Sequence, residues 1–151
     1  LLDVDLVPYI IDIAKYYCIN PKYLEFEITE EVFLEYSTRT INVLTDLQEL
    51  GIKIAIDDFG TGYSSLRYLK ELPVDTLKLD GMFVMDLAEN NASRGIVSST
   101  IILAHSLNMK IVAECVETKE QLAFLKQQNC DFAQGFHLHK PLSADAMLEF
   151  L

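Results

Sequence analysis

Short apolar runs of strand length alternate with helical patterns along almost the whole chain, and this alternation limits the folds that are open to it. The runs are rich in β-branched residues, as expected of parallel strands that are covered on both faces. We predict strands over residues 24–29, 52–57, 74–79, 110–116 and 131–135. Strands that alternate with helices indicate a parallel sheet with helical crossovers, and therefore an α/β fold.

The segments between the predicted strands carry residues that begin and end helices. Ser37 is placed to cap a helix that ends near Gly51, and Ser143 is placed to cap the last helix. Residues 118–121 have the form of a capping box. Five strands fit either an open doubly wound sheet or part of a (β/α)8 barrel, which takes about 250 residues when it is complete.

The formal net charge of the 151-residue chain is −11, which bears on the partners that it can bind. Nucleic-acid binding relies on a basic surface, so we expect neither DNA nor RNA as a partner. Cys18, Cys115 and Cys130 are odd in number and widely spaced, which indicates a reducing compartment and favours the cytoplasm. No window reaches the ~18 uninterrupted apolar residues of a membrane span, so we expect no membrane contact by this segment.

Polar side chains stand at or near the carboxyl ends of the predicted strands. Because these ends of parallel strands meet at one edge of a sheet, we expect the polar side chains to converge there, where α/β active sites are built. Several carboxylates in one pocket need a cation, and all-oxygen ligands favour Mg²⁺, Mn²⁺ or Ca²⁺. A nearby lysine suits two-metal hydrolysis of a phosphoester. The residues concerned are Glu27, Glu30, Asp57, Asp58, Lys78, Asp80, Glu114, Glu117 and Gln134.

Each of these residues also has a structural explanation when it is taken alone. Asp57 and Asp58 would then cap the next helix, and Lys78 would pair with Asp80. Five such positions on five predicted strands argue against this explanation, because an unpaired buried charge is costly.

Six segments together resemble a known family. IDDFGTGYSSL at 56–66 closely resembles the most distinctive stretch of EAL domains. The order and spacing of that family are also matched by LEFEITE at 24–30, LKLD at 77–80, VAECVET at 112–118, QGF at 134–136 and KPL at 140–142. The resemblance covers essentially the whole chain. It implies a TIM-like (β/α)8 barrel that hydrolyses cyclic di-GMP (c-di-GMP) to linear pGpG with two Mg²⁺ or Mn²⁺ ions.

The resemblance also implies roles for individual residues. Glu27 and Asp57 would be metal ligands, with Asp57 shared between two ions, and Asp58 would bind the second ion. Lys78 would orient and polarise the attacking water. Glu114 would act as general base or hold that water.

A second group of residues would support the site. Glu30 would stabilise the loop that carries the paired aspartates, a loop that also takes part in homodimerisation in this family. Glu117 and Gln134 would complete the water contacts around the metal. Contacts with the ligand are expected from Thr61, Gly62 and Pro141.

The chain departs from the family pattern in two ways. The motif that names the family and a downstream asparagine, both metal ligands, would precede Leu1. We therefore expect residues 1–151 to be the C-terminal portion of a single EAL domain, with five βα units and impaired activity in isolation. The parent protein then has room for upstream sensory or GGDEF-type domains and for a membrane anchor. The second departure is local: Cys115 stands where the family usually has glycine, and Gly81 replaces a larger polar or basic residue.

Two functions follow from these observations. The first is a c-di-GMP phosphodiesterase, favoured because a pure receptor has no need for the complete set of acidic residues and Lys78. The alternative is a catalytically inactive module that binds c-di-GMP or a protein partner, which Cys115 mildly favours. An unrelated doubly wound phosphotransfer domain is disfavoured because the first predicted strand lacks a Gly-rich nucleotide loop.

Overall fold

The computed structural model describes residues 6–33, 37–62, 66–88 and 90–150. The strands are Glu25–Thr29 (β1), Lys53–Phe59 (β2), Thr76–Leu79 (β3), Lys110–Ala113 (β4) and Phe132–Ala133 (β5). The α-helices are Leu6–Tyr16 (α1), Thr38–Glu49 (α2), Leu66–Glu71 (α3), Gly81–Met85 (α4), Asn91–Ser106 (α5), Lys119–Gln127 (α6) and Ala144–Phe150 (α7). Short 3₁₀ helices span Pro21–Tyr23, Glu30–Phe33 and Asp86–Ala88. Positions 63–65 of the motif at 56–66 lie outside the described residues.

The strands form one parallel sheet in the order β1-β2-β3-β4-β5. Each consecutive pair is joined by a segment that contains at least one helix, as parallel neighbours require. The predicted α/β class is therefore confirmed. The predicted starts of the five strands differ from the observed starts by at most two residues, the largest difference being 74 against Thr76.

The predicted ends of three strands are wrong, and the smallest strand, β5, ends at Ala133 and not at residue 135. β4 ends at Ala113 and not at residue 116, because Cys115 has a φ of 55°, in the left-handed region that breaks an extended chain. β2 continues past residue 57 to Phe59, with an irregular register against β3 between Ile56 and Phe59. Asp58, within this irregular stretch, has a φ of 54°. The corrections to β4 and β2 fall where the sheet approaches the predicted site.

The predicted helix caps are present. The Ser37 side chain accepts a hydrogen bond from the backbone N–H of Thr40 at 3.2 Å, and Gly51 follows α2 with a φ of 90°. Thr118 and Gln121 form the predicted capping box at the start of α6. These caps set the helix boundaries and so determine where each following strand begins.

The hydrophobic core lies between one face of the sheet and the helices that cover it. α2 packs on β2, and α5 packs on β3 and β4. Fully buried apolar side chains in this layer include Leu44, Leu47, Ile54, Ile56, Leu77, Ile101 and Ile111. None of the helices in the described part of the chain is long and apolar enough to cross a membrane.

The opposite face of the sheet carries polar side chains from the same strands. In β3, Leu77 and Leu79 alternate with Thr76 and Lys78, so the second pair points away from the apolar layer. The Thr76 hydroxyl donates a hydrogen bond to the Glu25 carboxylate of β1 at 3.2 Å, which reaches across β2. The predicted site residues Glu27, Asp57 and Lys78 lie on this polar face.

Candidate functional site

Lys78 is the centre of the polar face. Its Nζ lies 2.8 Å from Asp57 Oδ1, 2.9 Å from Glu27 Oε1 and 2.9 Å from Glu114 Oε1. These carboxylates come from β1, β2 and the segment directly after β4, on both sides of β3 in the sheet. The lysine side chain is only 9% exposed, whereas the Glu27 side chain is 49% exposed. One buried ammonium group therefore forms ion pairs with three carboxylates that are distant from one another in the sequence.

The register of the sheet explains how Lys78 reaches β1. Glu27 lies beside Ala55, and Ala55 lies beside Thr76, two residues before Lys78 on the same strand face. The small Ala55 side chain leaves room above β2 for the long lysine side chain. The alternative in which Lys78 merely pairs with Asp80 is wrong. Asp80 instead caps α4, and its Oδ1 accepts a hydrogen bond from the Met82 N–H at 2.7 Å.

The electrostatics of the lysine follow from this arrangement. Partial burial lowers the pKa of Lys78, but the hydrogen bonds to Asp57, Glu27 and Glu114 outweigh burial and raise that pKa above its ordinary value. Lys78 is therefore a fixed positive charge at neutral pH. Such a charge offsets part of the repulsion among the carboxylates.

A second grouping of carboxylates fits a metal ion. Asp57, Asp58 and Glu114 each offer an oxygen, and these oxygens lie within 4.8 Å of one another. Burial raises the pKa of Asp58, and the neighbouring charges of Asp57 and Asp80 raise it further. An all-oxygen donor set with surplus negative charge suits a hard divalent cation such as Mg²⁺ or Mn²⁺. The predicted metal ligands are thus brought together, with Glu27 joined to them through Lys78.

Glu30 holds the loop that follows the paired aspartates. Its carboxylate Oε2 accepts hydrogen bonds from the backbone N–H groups of Gly60 at 2.9 Å and Gly62 at 3.1 Å. The Thr61 hydroxyl turns back and donates to the Asp58 carbonyl at 2.9 Å. Glu30 is 5% exposed, and the Gly60 φ of 101° favours a residue without a side chain. Glu30 therefore bonds to the backbone of the loop directly after Asp57 and Asp58.

A cavity of about 500 Å³ opens beside the carboxylates. Glu114 lines this cavity together with three other predicted site residues, Glu117, Gln134 and Pro141. Thr61 and Gly62 are exposed on the loop after β2 and, within the described part of the chain, they are not in the cavity wall. The predicted ligand-contact residues therefore divide between two sides of the site.

Five cavity residues were not among the predicted site residues: Cys115, Gly135, Phe136, His139 and Lys140. The Lys140 ammonium lies 5.6 Å from the centre of the Phe136 ring, a cation–π arrangement at the cavity mouth. The motif segments at 112–118, 134–136 and 140–142 were the available signal, because they carry all of these residues except His139. The sequence does not indicate that residues 134–142 fold back onto the segment that follows β4.

Comparisons with known proteins agree with this geometry. The family model for the EAL domain matches residues 1–141. Cyclic di-GMP phosphodiesterase NbdA of Pseudomonas aeruginosa is 46% identical over 129 residues, which is 85% of this chain and 16% of the relative. The bifunctional diguanylate cyclase/cyclic di-GMP phosphodiesterase MucR of the same species is 43% identical over 130 residues, 86% of this chain and 19% of the relative.

A solved structure extends the likeness to three dimensions. The complex of the PaMucR phosphodiesterase with c-di-GMP superposes with a TM-score of 0.91 at 39% identity, covering 97% of this chain and 59% of that chain. The expectation of βα units from a TIM-like barrel is therefore confirmed. The chain spans less than a fifth of the length of the two curated relatives, at 16% and 19%. The sequence match, the parallel sheet and the carboxylate cluster together place this chain in the EAL domain family.

Proposed function

We propose that this chain carries the active site of a metal-dependent phosphodiesterase that hydrolyses c-di-GMP to linear pGpG. The observation that carries the proposal is the placement of Lys78 among Glu27, Asp57 and Glu114, with Asp58 beside them. The names of NbdA and MucR support the substrate, since both are described as cyclic di-GMP phosphodiesterases.

The proposed metal ligands in this chain are Glu27, Asp57 and Asp58, with Asp57 shared between two ions. When bound, Mg²⁺ or Mn²⁺ neutralises the phosphodiester oxygens and acidifies water near the scissile bond. The oxygen-only donor set and the surplus of negative charge support this choice of ion.

Lys78 and Glu114 carry the proposed proton chemistry. Glu114 holds the attacking water and accepts its proton, while the Lys78 ammonium orients the water and remains positively charged. The water oxygen forms a bond to phosphorus, and the bond from phosphorus to the ribose 3′ oxygen breaks. The ribose 3′ oxygen takes a proton from solvent water and the proton on Glu114 passes to solvent, so that the product is a linear dinucleotide with a terminal phosphate. A general base in this position contributes roughly 100- to 10,000-fold to the rate.

The cavity beside Glu114 is the proposed place for one nucleotide of the ligand. Gln134 and Glu117 offer polar contacts at its wall, and Pro141 and Phe136 offer apolar surface for a base. On the other side of the site, Thr61 and Gly62 are proposed to contact the ligand from the loop that Glu30 holds. A ligand of two nucleotides is large enough to touch both sides.

Partners of the whole protein are also proposed. The length of the relatives and the double activity in the name of MucR support upstream sensory or GGDEF-type domains. The loop after β2 is proposed to take part in a homodimer.

The test of the function is c-di-GMP turnover by the full-length protein with Mg²⁺ or Mn²⁺, followed by separation of the linear product. We expect Glu114→Gln to reduce kcat by about 100-fold or more, because the proton acceptor is lost. Glu49→Gln on the exposed end of α2 is the matched control and should retain the rate.

A second candidate is a receptor that binds c-di-GMP without cleaving it. Cys115 favours it, because its side chain enters the wall of the cavity beside Glu114. Ligand binding with no product from the wild-type protein, in the presence of either ion, would establish the receptor and reject the hydrolase.

A further inference from the structure

Gly81 and Cys115 lie against each other at the edge of the site, and there is space for only one side chain between them. Gly81 is the first residue of α4 and is buried. A Cβ atom added to Gly81 would lie 2.7 Å from the Cβ of Cys115 and closer still to its Sγ. Non-bonded carbon atoms in folded proteins do not approach so closely, and a close-packed interior has no free space for an added methyl group. A side chain at position 81 and the present side chain at position 115 therefore exclude each other.

The backbone of Cys115 adds a second constraint. Its φ of 55° lies in the left-handed region, which glycine adopts far more readily than any residue with a Cβ. The chain thus has a side chain where the backbone favours glycine, and glycine where an ordinary helical residue would fit the backbone. The thiol of Cys115 takes the space that a side chain at position 81 would otherwise fill.

The contact is part of a larger connection between α4 and the segment after β4. Gln121 Nε2 donates to the Met85 carbonyl at the end of α4, at 3.3 Å. Gln121 Oε1 accepts from the N–H groups of Glu117 at 2.7 Å and Thr118 at 2.9 Å. The segment that begins with Glu114 is therefore held to the end of α4 by Gln121 and to its start by the Gly81–Cys115 contact.

We propose that Gly81 and Cys115 form one steric unit that positions Glu114. The role of Glu114 in turnover rests on the proposed function, whereas the steric coupling does not. Cys115 is covalently next to Glu114, whose Oε1 lies 2.9 Å from Lys78 Nζ. Displacement of Cys115 away from α4 moves the Glu114 carboxylate relative to the lysine and to the bound ligand. Gly81 and Cys115 are positioning residues, because they act through Glu114.

The test is a double-mutant cycle in the full-length protein with Gly81→Ala, Cys115→Gly and the double variant. Gly81→Ala should lower kcat by about 10- to 100-fold with KM changed less than about twofold, because the base is displaced while the binding wall largely remains. Its Tm should fall by about 3–10 °C. In the double variant the methyl group at position 81 fills the space that the thiol leaves, so kcat and Tm should recover to within about threefold and 3 °C of wild type.

Gly95 supplies the matched control. It lies within α5, and a Cβ added there meets nothing within 4 Å, so Gly95→Ala should keep or raise Tm as helix propensity predicts. Cys115→Ser keeps a side chain of nearly the same size, so Gly81→Ala combined with Cys115→Ser should remain impaired. A Gly81→Ala variant that behaves like Gly95→Ala, or a double variant no better than Gly81→Ala, overturns the proposal. If the wild-type protein does not cleave c-di-GMP, the proposed function fails and the Tm cycle still decides the steric coupling.

Discussion

The two ends of the parallel sheet are built from the same residue types in opposite arrangements. At the carboxyl end one ammonium group, Lys78, is surrounded by three carboxylates. At the amino end the arrangement is reversed, and single carboxylates are surrounded by hydrogen-bond donors. Asp75, just before β3, accepts from Lys53 Nζ at 2.6 Å, Gln48 Nε2 at 2.9 Å and the Ile54 N–H at 3.0 Å.

The amino-end arrangement occurs a second time, two strands further along. Asp131 stands just before β5, and its carboxylate contacts Lys110 Nζ at 2.5 Å and His105 Nε2 at 2.8 Å. It also accepts from the Ile111 N–H at 3.2 Å. In both copies the aspartate bonds to the first two residues of the preceding strand and to the helix before that strand. The repetition joins β3 to β2 and β5 to β4 at the end of the sheet where no site is proposed.

The pKa shifts express the difference between the two ends. Burial raises the pKa of Asp75 and of Asp131, but the hydrogen bonds from their lysine partners and backbone N–H groups outweigh burial and lower both. For Asp58 at the carboxyl end, burial and the charges of Asp57 and Asp80 act together and raise the pKa. One end therefore has balanced charge that stabilises the fold. The other end holds surplus negative charge that suits a cation, as expected of the two faces of a barrel of this type.

The largest expected effect comes from removing the central lysine. Lys78→Met leaves three carboxylates without their shared ammonium, so it should destabilise the metal-free protein by about 2–4 kcal/mol and reduce turnover by at least about 100-fold. Lys53→Met at the other end removes one partner of the ion pair with Asp75. The Lys53 side chain is 58% exposed, so the free energy of unfolding should fall by less than about 1 kcal/mol. Urea unfolding in EDTA measures the stabilities. Equal losses in the two variants would contradict the contrast between the ends.

Neutralising one aspartate at each end should change stability in opposite directions. Asp75→Asn weakens hydrogen bonds to a charged lysine and to a backbone N–H, and should destabilise the protein by about 1–3 kcal/mol. The folded-state pKa of Asp58 is raised, so its ionised form opposes folding at neutral pH, where the carboxyl is charged in the unfolded chain. Asp58→Asn should therefore raise the Tm of the metal-free protein by roughly 1–3 °C.

The same pair separates stability from activity. Asp58→Asn should lose turnover despite its higher Tm, because a proposed metal ligand is removed, whereas Asp75→Asn should keep its rate at temperatures where it is folded. Thermal unfolding in EDTA and c-di-GMP turnover with Mn²⁺ are the two measurements. A fall in Tm for both variants would show that the charge at the carboxyl end is not in surplus.

Sequence periodicity predicted most of the fold because each strand is an apolar run between helix caps. It failed where the backbone leaves ordinary φ values, as at Cys115 and Asp58, since a positive φ in a residue other than glycine has no periodic signature. The convergence of Glu27, Asp57 and Glu114 was predictable from their places at strand ends. Their shared contact with Lys78 was not, because it depends on the register of the sheet and on the small Ala55.

The amino-end contacts were missed altogether for a related reason. Asp75 and Asp131 lie at the starts of the predicted strands 74–79 and 131–135, whereas the observed strands begin just after them, and nothing near them in the sequence indicates their partners. Their partners lie 20 or more residues away in the sequence, 21 residues for Ile54 and 20 for Ile111. Only the parallel pairing of neighbouring strands brings such residues together, so the signal is tertiary and absent from local patterns.

The smaller of the two losses expected at the amino-end aspartates is that at Asp131, and it depends on pH. Asp131 should contribute somewhat less than Asp75, because its backbone bond is longer, at 3.2 Å against 3.0 Å, and Lys110 is 62% exposed. Asp131→Asn should cost about 1–2 kcal/mol at pH 7. A carboxyl whose pKa is lower in the folded chain adds stability above its unfolded pKa, and the contribution disappears as the pH falls through the folded value. The difference between wild type and Asp131→Asn should therefore shrink below about pH 4.

Urea unfolding of the metal-free protein at pH 7 and near pH 3 measures this difference, with Asp46→Asn on the exposed surface of α2 as the matched control. The control should differ little from wild type at either pH, because an exposed carboxylate gains little from folding. An Asp131→Asn deficit that stays constant down to pH 3 would mean that packing around residue 131, and not the charge of its carboxylate, joins β4 to β5. The amino end of the sheet would then be an ordinary packed edge and not the electrostatic inverse of the carboxyl end.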